Sequence, residues 1–188
     1  MHFGGAGGTA TLLPLDLHDG AQIDAIGPSV FSRFGKLDVL VHCAAALNRL
    51  SPIPHIMDKD FADVVAVNFA AAFRLIRTTG PLLLAAKAGR AVFVTDARAH
   101  APRAYWAAYG ATKAAMEHLA LTWAAEADTM ALRVNLFEPP PMRTRLRATA
   151  YPGEDRALRP DPATIAPALL PLCLPTETRN GVRVTAGG

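Results

Sequence analysis

Leu37-Asp38-Val39-Leu40-Val41 holds one charge and neither glycine nor proline. A near-continuous apolar run of this kind reads as a strand buried on both faces, the environment of a parallel sheet. Outward from it the pattern repeats. Ala91-Val92-Phe93-Val94-Thr95 and Leu132-Arg133-Val134-Asn135-Leu136-Phe137 are further strand-like runs, and Gly181-Val182-Arg183-Val184-Thr185 is a short last one. Upstream, Thr9 to Leu15 reads as a strand that Pro14 limits to an edge or a strand end. Helical patterns lie between the strands. Residues 20–34 place Ile23, Ile26, Val30, Phe31 and Phe34 on a rough apolar face, and Gly35 ends the helix. Residues 58–86 form a long pattern, bent or ended near Gly80-Pro81. A third helix runs from about Tyr105 to Asp128, and residues 162–173 are weakly helical. Strands alternating with helices predict an α/β fold, a doubly wound parallel sheet. Loops are expected at 48–54 and 96–104. Pro139-Pro140-Pro141 forbids regular structure, and 142–160 reads as a lid or loop. No repeat or linker divides residues 1–188, so they are read as a single domain.

Composition narrows the function classes. The chain is 51% hydrophobic and 19% charged, which argues for a packed core and against disorder. A formal charge of +3, with bases clustered only at Arg143, Arg145 and Arg147, lacks the basic stripe of a nucleic-acid surface. The two cysteines, Cys43 and Cys173, sit in apolar runs and read as buried free thiols. No Cys/His cluster suggests a metal. No apolar run is long enough to span a membrane. The opening residues lack the charged and apolar regions of a signal peptide. A cytoplasmic protein is the expectation.

Tyr109-Gly110-Ala111-Thr112-Lys113 carries the sharpest chemical signal. A tyrosine and a lysine four apart share a helix face. A nearby ammonium favours phenolate, which would bring the tyrosine toward neutrality and let it exchange a proton with a carbonyl or alcohol oxygen.

Five segments in order, DVLVHCAA, VNFAAAFRL, GRAVFVTDARA, AYGATKAAMEHL and LRVNLFEPPPMRTRLR, resemble the short-chain dehydrogenase/reductase family from about Thr9 to Gly188. Within it, the His of the strand-four motif and the basic TRLR segment resemble a bacterial branch. The resemblance implies a Rossmann-like fold and hydride transfer between NAD or NADP and a carbonyl or alcohol substrate. It implies Tyr109 as acid/base, Lys113 as its electrostatic helper and ribose ligand, and Asn68 as the helix residue holding a relay water. It also implies cofactor contacts from Asp16 (adenine), His42, Cys43, Ala44 and Ala45 (the motif after strand four), and Pro139 and Thr144 (nicotinamide amide). On the residues alone, Asp16 could equally be a helix N-cap, Asn68 a helix bridge and His42 a packed core residue. Trp106 and Tyr105 could border the expected substrate cleft or, equally, be core or surface packing residues.

The sequence also departs from the family. The opening strand, glycine-rich turn and helix do not stand where the family has them. Gly4-Gly5-Ala6-Gly7-Gly8 is glycine-rich, but no strand precedes it and its spacing differs. The expectation is therefore an incomplete Rossmann-like sheet, truncated by roughly 50–60 residues that would hold the first two strands. Asp96 stands at the catalytic serine position, with Thr95 as a neighbouring hydroxyl. Ala45 and Pro140 replace family glycines. In the family's sheet order 3-2-1-4-5-6-7, such a chain leaves Leu37–Val41 as an exposed edge and Thr9–Leu15 without a partner. A marginal or oligomeric chain is expected, associating through its long helices with itself or with a related partner. The rival functions are a catalytically silent remnant or pseudoenzyme, and a module that binds carbonyl compounds or lipids without turnover.

Overall fold

A computed structural model describes residues 8–186. The sheet has four parallel strands in sequence order: β1 (Val39–His42), β2 (Arg90–Val94), β3 (Arg133–Glu138) and β4 (Arg183–Thr185). Each expected strand from Leu37 onward is present, shifted by a residue or two. Side chains of β2 alternate between the faces, as a period of two requires. Ala91 and Phe93 join Val134 and Leu136 beneath Met116, Ala120 and Trp123. Val92 joins Phe137 beneath Leu172 on the opposite face.

The helices are α1 (Gly20–Asp24), α2 (Ile26–Phe34), α3 (Asp58–Val65), α4 (Ala71–Ala85), α5 (Ala107–Glu126), α6 (Arg145–Ala150) and α7 (Pro162–Ile165). α4 and α5 cover one face of the sheet. α7 and the 3₁₀ turns of residues 166–173 cover the other, so the weakly helical segment closes the second, smaller core. The buried Arg90 ties these layers together. Its guanidinium donates to the carbonyls of Gly89, Ala131, Leu174, Pro175 and Glu177 at 2.6–3.1 Å.

Four expectations about the elements are corrected. Thr9–Leu15 is not a strand. Among the described residues no neighbouring strand offers it hydrogen bonds, and a strand without a partner leaves its polar backbone groups unmatched. Instead Leu15 and Leu17 pack on Ile23, Ala71 and Leu75, while Leu12 and Leu13 stay exposed. His18 then bridges Asp16 at 2.7 Å and Asp63 of α3 at 2.6 Å. Second, the 20–34 helix is interrupted at Ala25, and Phe31 and Phe34 lie exposed outside its buried face. Third, the long 58–86 helix passes through Pro81 and is irregular elsewhere, in a π-helical turn at Ala66–Ala70. Fourth, 142–160 is partly ordered into α6 and a 3₁₀ turn at Arg156–Leu158.

β1 is an edge, as the topology predicts. No strand pairs with its outer side among the described residues, and Val41 is 38% exposed. The same exposure corrects the reading of Cys43, which is an exposed thiol. Cys173 is half-buried. No helix of the described residues is long and apolar enough to cross a membrane, and they hold no cluster of potential metal ligands. The Gly4–Gly8 stretch lies, apart from Gly8, outside the described residues.

Candidate active site

The C-terminal ends of β1, β2 and β3 open into a cleft of about 530 Å³. This is the end of a parallel sheet where diverging loops leave room for a ligand. Cys43 and Ala45 line it after β1, Thr95 and Asp96 after β2, and Glu138, Pro139, Pro140 and Thr144 after β3. Tyr109 and Lys113 enter from α5. His42 and Ala44 do not line the cleft, because an extended backbone turns alternate side chains away. His42 is instead packed edge-on to Phe93, its Nε2 buried without a hydrogen-bond partner among the described residues, and burial lowers its pKa to about 4. Asp16 also lies outside the lining and holds His18. The N-cap of α1 is Asp19, not Asp16.

The first turn of α5 sits directly against the loop that carries Asp96. Gly110 allows this approach: a Cβ there would lie 2.8 Å from the carbonyl oxygen of Arg98. Tyr109 is buried and its hydroxyl makes no hydrogen bond among the described residues. Burial, and then the Asp96 carboxylate, push the phenol above its ordinary pKa. This reverses the expectation from the i,i+4 pair. Lys113 is deeply buried, its Nζ donates to the Val94 carbonyl at 2.9 Å, and burial lowers its pKa to about 8 against the pull of Asp96. Desolvation of both groups outweighs their shared helix face.

Asn68 does not line the cleft but is completely buried behind it, in the π-helical turn. Its Oδ1 accepts from the Ala46 N–H at 2.7 Å, and its Nδ2 donates to the Ala46 carbonyl and to Thr112 Oγ1, each at 3.0 Å. It therefore fixes the loop after β1 to α5, which is more than a bridge within a helix. Asp96 caps the short turn Ala97–Ala99 by accepting from the Arg98 N–H at 2.8 Å. The Thr95 hydroxyl donates to Glu117, which also pairs with Arg183, so its proton is directed into α5 and away from the cleft. Thr144 caps α6 by accepting from the Arg147 N–H at 3.1 Å.

A family model for short chain dehydrogenases matches residues 2–155. The chain belongs to the short-chain dehydrogenase family. Over 137 residues it is 36% identical to the oxidoreductase YciK of Escherichia coli K12, covering 73% of this chain and 54% of that protein. It is 30% identical over 141 residues to the 2,3-dihydro-2,3-dihydroxybenzoate dehydrogenase of the same organism, covering 75% and 56%. The chain thus spans about half the length of these relatives. A short-chain dehydrogenase from Pseudomonas syringae superposes with a TM-score of 0.89 at 34% identity, covering 93% of this chain and 72% of that one. One from Escherichia coli complexed with NADPH superposes at 0.87 and 32% identity, covering 93% and 73%. The family thus accounts for the parallel sheet and for nicotinamide cofactor use among its members.

Arg98, Glu138 and Arg147 also line the cleft; they lie within the family-like segments but were given no role there, whereas Arg103 and Tyr151 lie outside those segments altogether. Thr112 stands inside the Tyr–Lys segment, so that motif could have flagged it. Trp106 borders the cleft as expected, whereas Tyr105 is exposed and outside its lining.

Proposed function

We propose that this chain carries the acid/base half of an NAD(P)-dependent oxidoreductase that interconverts a small-molecule carbonyl and its alcohol. The observation that carries the reading is the convergence of Tyr109 and Lys113 on one cleft, with Asn68 buried behind them. A bound nicotinamide dinucleotide supplies or accepts the hydride. Tyr109 stays a phenol, because burial and Asp96 disfavour its anion, and it gives its proton to the substrate oxygen. Carbonyl reduction is the direction this protonation state serves. Lys113 offers its Nζ to the nicotinamide ribose, and Asn68 positions the loop and the relay. Cys43, Ala45, Pro139 and Thr144, which line the cleft, would hold the nicotinamide end.

The described residues fit that end of a dinucleotide and not its pyrophosphate, for which they offer no glycine-rich strand-to-helix turn. The reading therefore includes a nucleotide-binding strand–turn–helix unit from a longer chain or from a partner subunit, in a cytoplasmic protein.

One observation favours a second reading, a catalytically silent member that associates with a related partner through α4 and α5. Asp96 stands where a hydroxyl should donate to the substrate oxygen, and a carboxylate only accepts. Pro140 likewise has no amide to offer the nicotinamide. Native mass spectrometry of the protein from its source cells separates the two. Under the first reading, with the nucleotide-binding unit in a longer chain, a chain heavier by roughly 6 kDa with a bound dinucleotide is expected. A 19.9 kDa chain without cofactor replaces the oxidoreductase with the silent reading. Asp96→Ser in the cofactor-bound protein is expected to raise kcat.

A further inference from the structure

Arg103 to Trp106 form a tight turn in which the Trp106 N–H donates to the Arg103 carbonyl at 3.1 Å. Its third residue, Tyr105, has a φ of 74°, a left-handed conformation that strains any residue with a Cβ. The Tyr105 side chain is exposed and does not repay that strain with contacts to the cleft. What the turn achieves is to bring Arg103 and Trp106 together into the cleft lining. Trp106 lies edge-on to Tyr109, ring centres 5.6 Å apart, and tilted against Tyr151 at 5.9 Å. An aromatic wall therefore runs from the Tyr109 ring toward the mouth. At its outer end Arg103 Nη1 donates to the Tyr151 hydroxyl at 3.0 Å, which holds the guanidinium in place.

Charge matching singles out the same residue. Arg147 is forked onto Glu154 at 2.6 and 2.7 Å, and Arg98 faces Asp96 at 3.9 Å. Arg103 is exposed and pairs with no carboxylate among the described residues. A guanidinium has five donors in a planar fork that matches a carboxylate, and Tyr151 occupies only part of it. Asp96 and Glu138 line the same cleft; Glu138 Oε2 accepts no hydrogen bond among the described residues, with Arg183 Nε at 3.7 Å and His100 Nδ1 at 3.9 Å. The two carboxylates disfavour a dianion such as phosphate. A single negative charge at the mouth is the complement.

We propose that Arg103, with Trp106 and Tyr151, forms a subsite for a flat ring bearing a carboxylate, and that this subsite selects the substrate. The inference rests on the oxidoreductase reading for the word substrate, but the binding site stands on its own geometry. The test uses the full protein labelled with ¹⁵N, whose two tryptophans give two indole signals. Trp106→Phe assigns them. Titration with benzoate is expected to shift the Trp106 signal. Benzamide, with the same ring and no charge, is expected to bind about tenfold more weakly. Arg103→Gln should weaken benzoate about tenfold and leave benzamide unchanged, and Arg103→Lys should recover part of the loss. Equal binding of benzoate and benzamide, or an Arg103→Gln variant that binds benzoate normally, overturns the proposal. NADPH binding, followed separately by its fluorescence, distinguishes the two readings. Its absence with the benzoate pattern intact removes the oxidoreductase and leaves the subsite. Its presence without that pattern does the reverse.

Discussion

Tyr109 and Asp96 are coupled through charge, and the coupling can be measured. Asp96 is the second cause, after burial, of the raised phenol pKa. Asp96→Asn keeps the shape and removes the charge, so the ultraviolet titration of Tyr109 should move to lower pH. An unchanged titration would leave burial as the whole explanation. Lys113 gives a stability prediction with a defined sign. Its folded pKa is about 8 and its ordinary value 10.5. Between these, the unfolded chain holds a proton that the folded chain has lost, so stability rises with pH across the window. Below it both states are charged, and the buried ammonium costs on the order of 3 kcal/mol. Lys113→Met should flatten the rise and match or exceed the parent's stability at neutral pH, as denaturant melts at several pH values would show. The partnership of Tyr109 and Lys113 was legible, because four-residue spacing fixes a common face. Its electrostatic outcome was not, because spacing says nothing of how deeply both groups are buried. Arg103 and Tyr151 were illegible for another reason: they meet across 48 residues of chain.

At the scale of elements, local pattern placed four of the five expected strands, failing at Thr9–Leu15, and missed the helix irregularities. The apolar runs at Val39, Ala91 and Arg133 are sufficient in themselves, since a sheet buried on both faces accepts little else. The π-helical turn at Ala66–Ala70 has no glycine or proline to announce it, and it coincides with Asn68, which must reach Ala46 and Thr112 together. Such bulges often sit at functional sites. Asn68→Ala should leave both Ala46 backbone groups without their partner and cost about 1–3 kcal/mol by denaturant titration. The interrupted helix at Ala25 follows from a contact invisible in the sequence. α2 crosses α4 so closely that a Cβ on Gly27 would lie 2.0 Å from the Thr78 carbonyl oxygen. Gly27 N–H donates to Thr78 Oγ1 at 3.0 Å, and that hydroxyl donates to the Asp24 carbonyl at 2.7 Å. Gly27→Ala should therefore destabilise by about 1–3 kcal/mol, since neither backbone can yield freely. Gly153→Ala, where a Cβ meets nothing within 4 Å, is the control and should be nearly neutral.

For the whole molecule, the exposed edge governs behaviour in solution. β1 offers an unpaired row of backbone groups among the described residues, with the exposed Val41 on the strand and Cys43 just beyond it. Phe31, Phe34, Leu12 and Leu13 add exposed apolar surface. Parallel strands with open apolar edges recruit further chains unless something covers them. This consequence was readable from strand order alone, because the run at Leu37–Val41 is too apolar for an edge meant to face water. What the sequence left hidden is that the Thr9–Leu15 segment does not slide across to cover it. Leu15 and Leu17 are held in the α1–α4 cluster, and His18 is held by Asp16 and Asp63. The purified 188-residue chain should therefore sediment as an oligomer or aggregate, or else melt with low cooperativity. Adding Lys at Val41 should shift it toward monomer, since charge on an edge strand opposes pairing. A parent chain that sediments as a monomer and melts sharply would mean that the β1 edge is protected by its own backbone twist, and association would then have to be sought on α4 and α5.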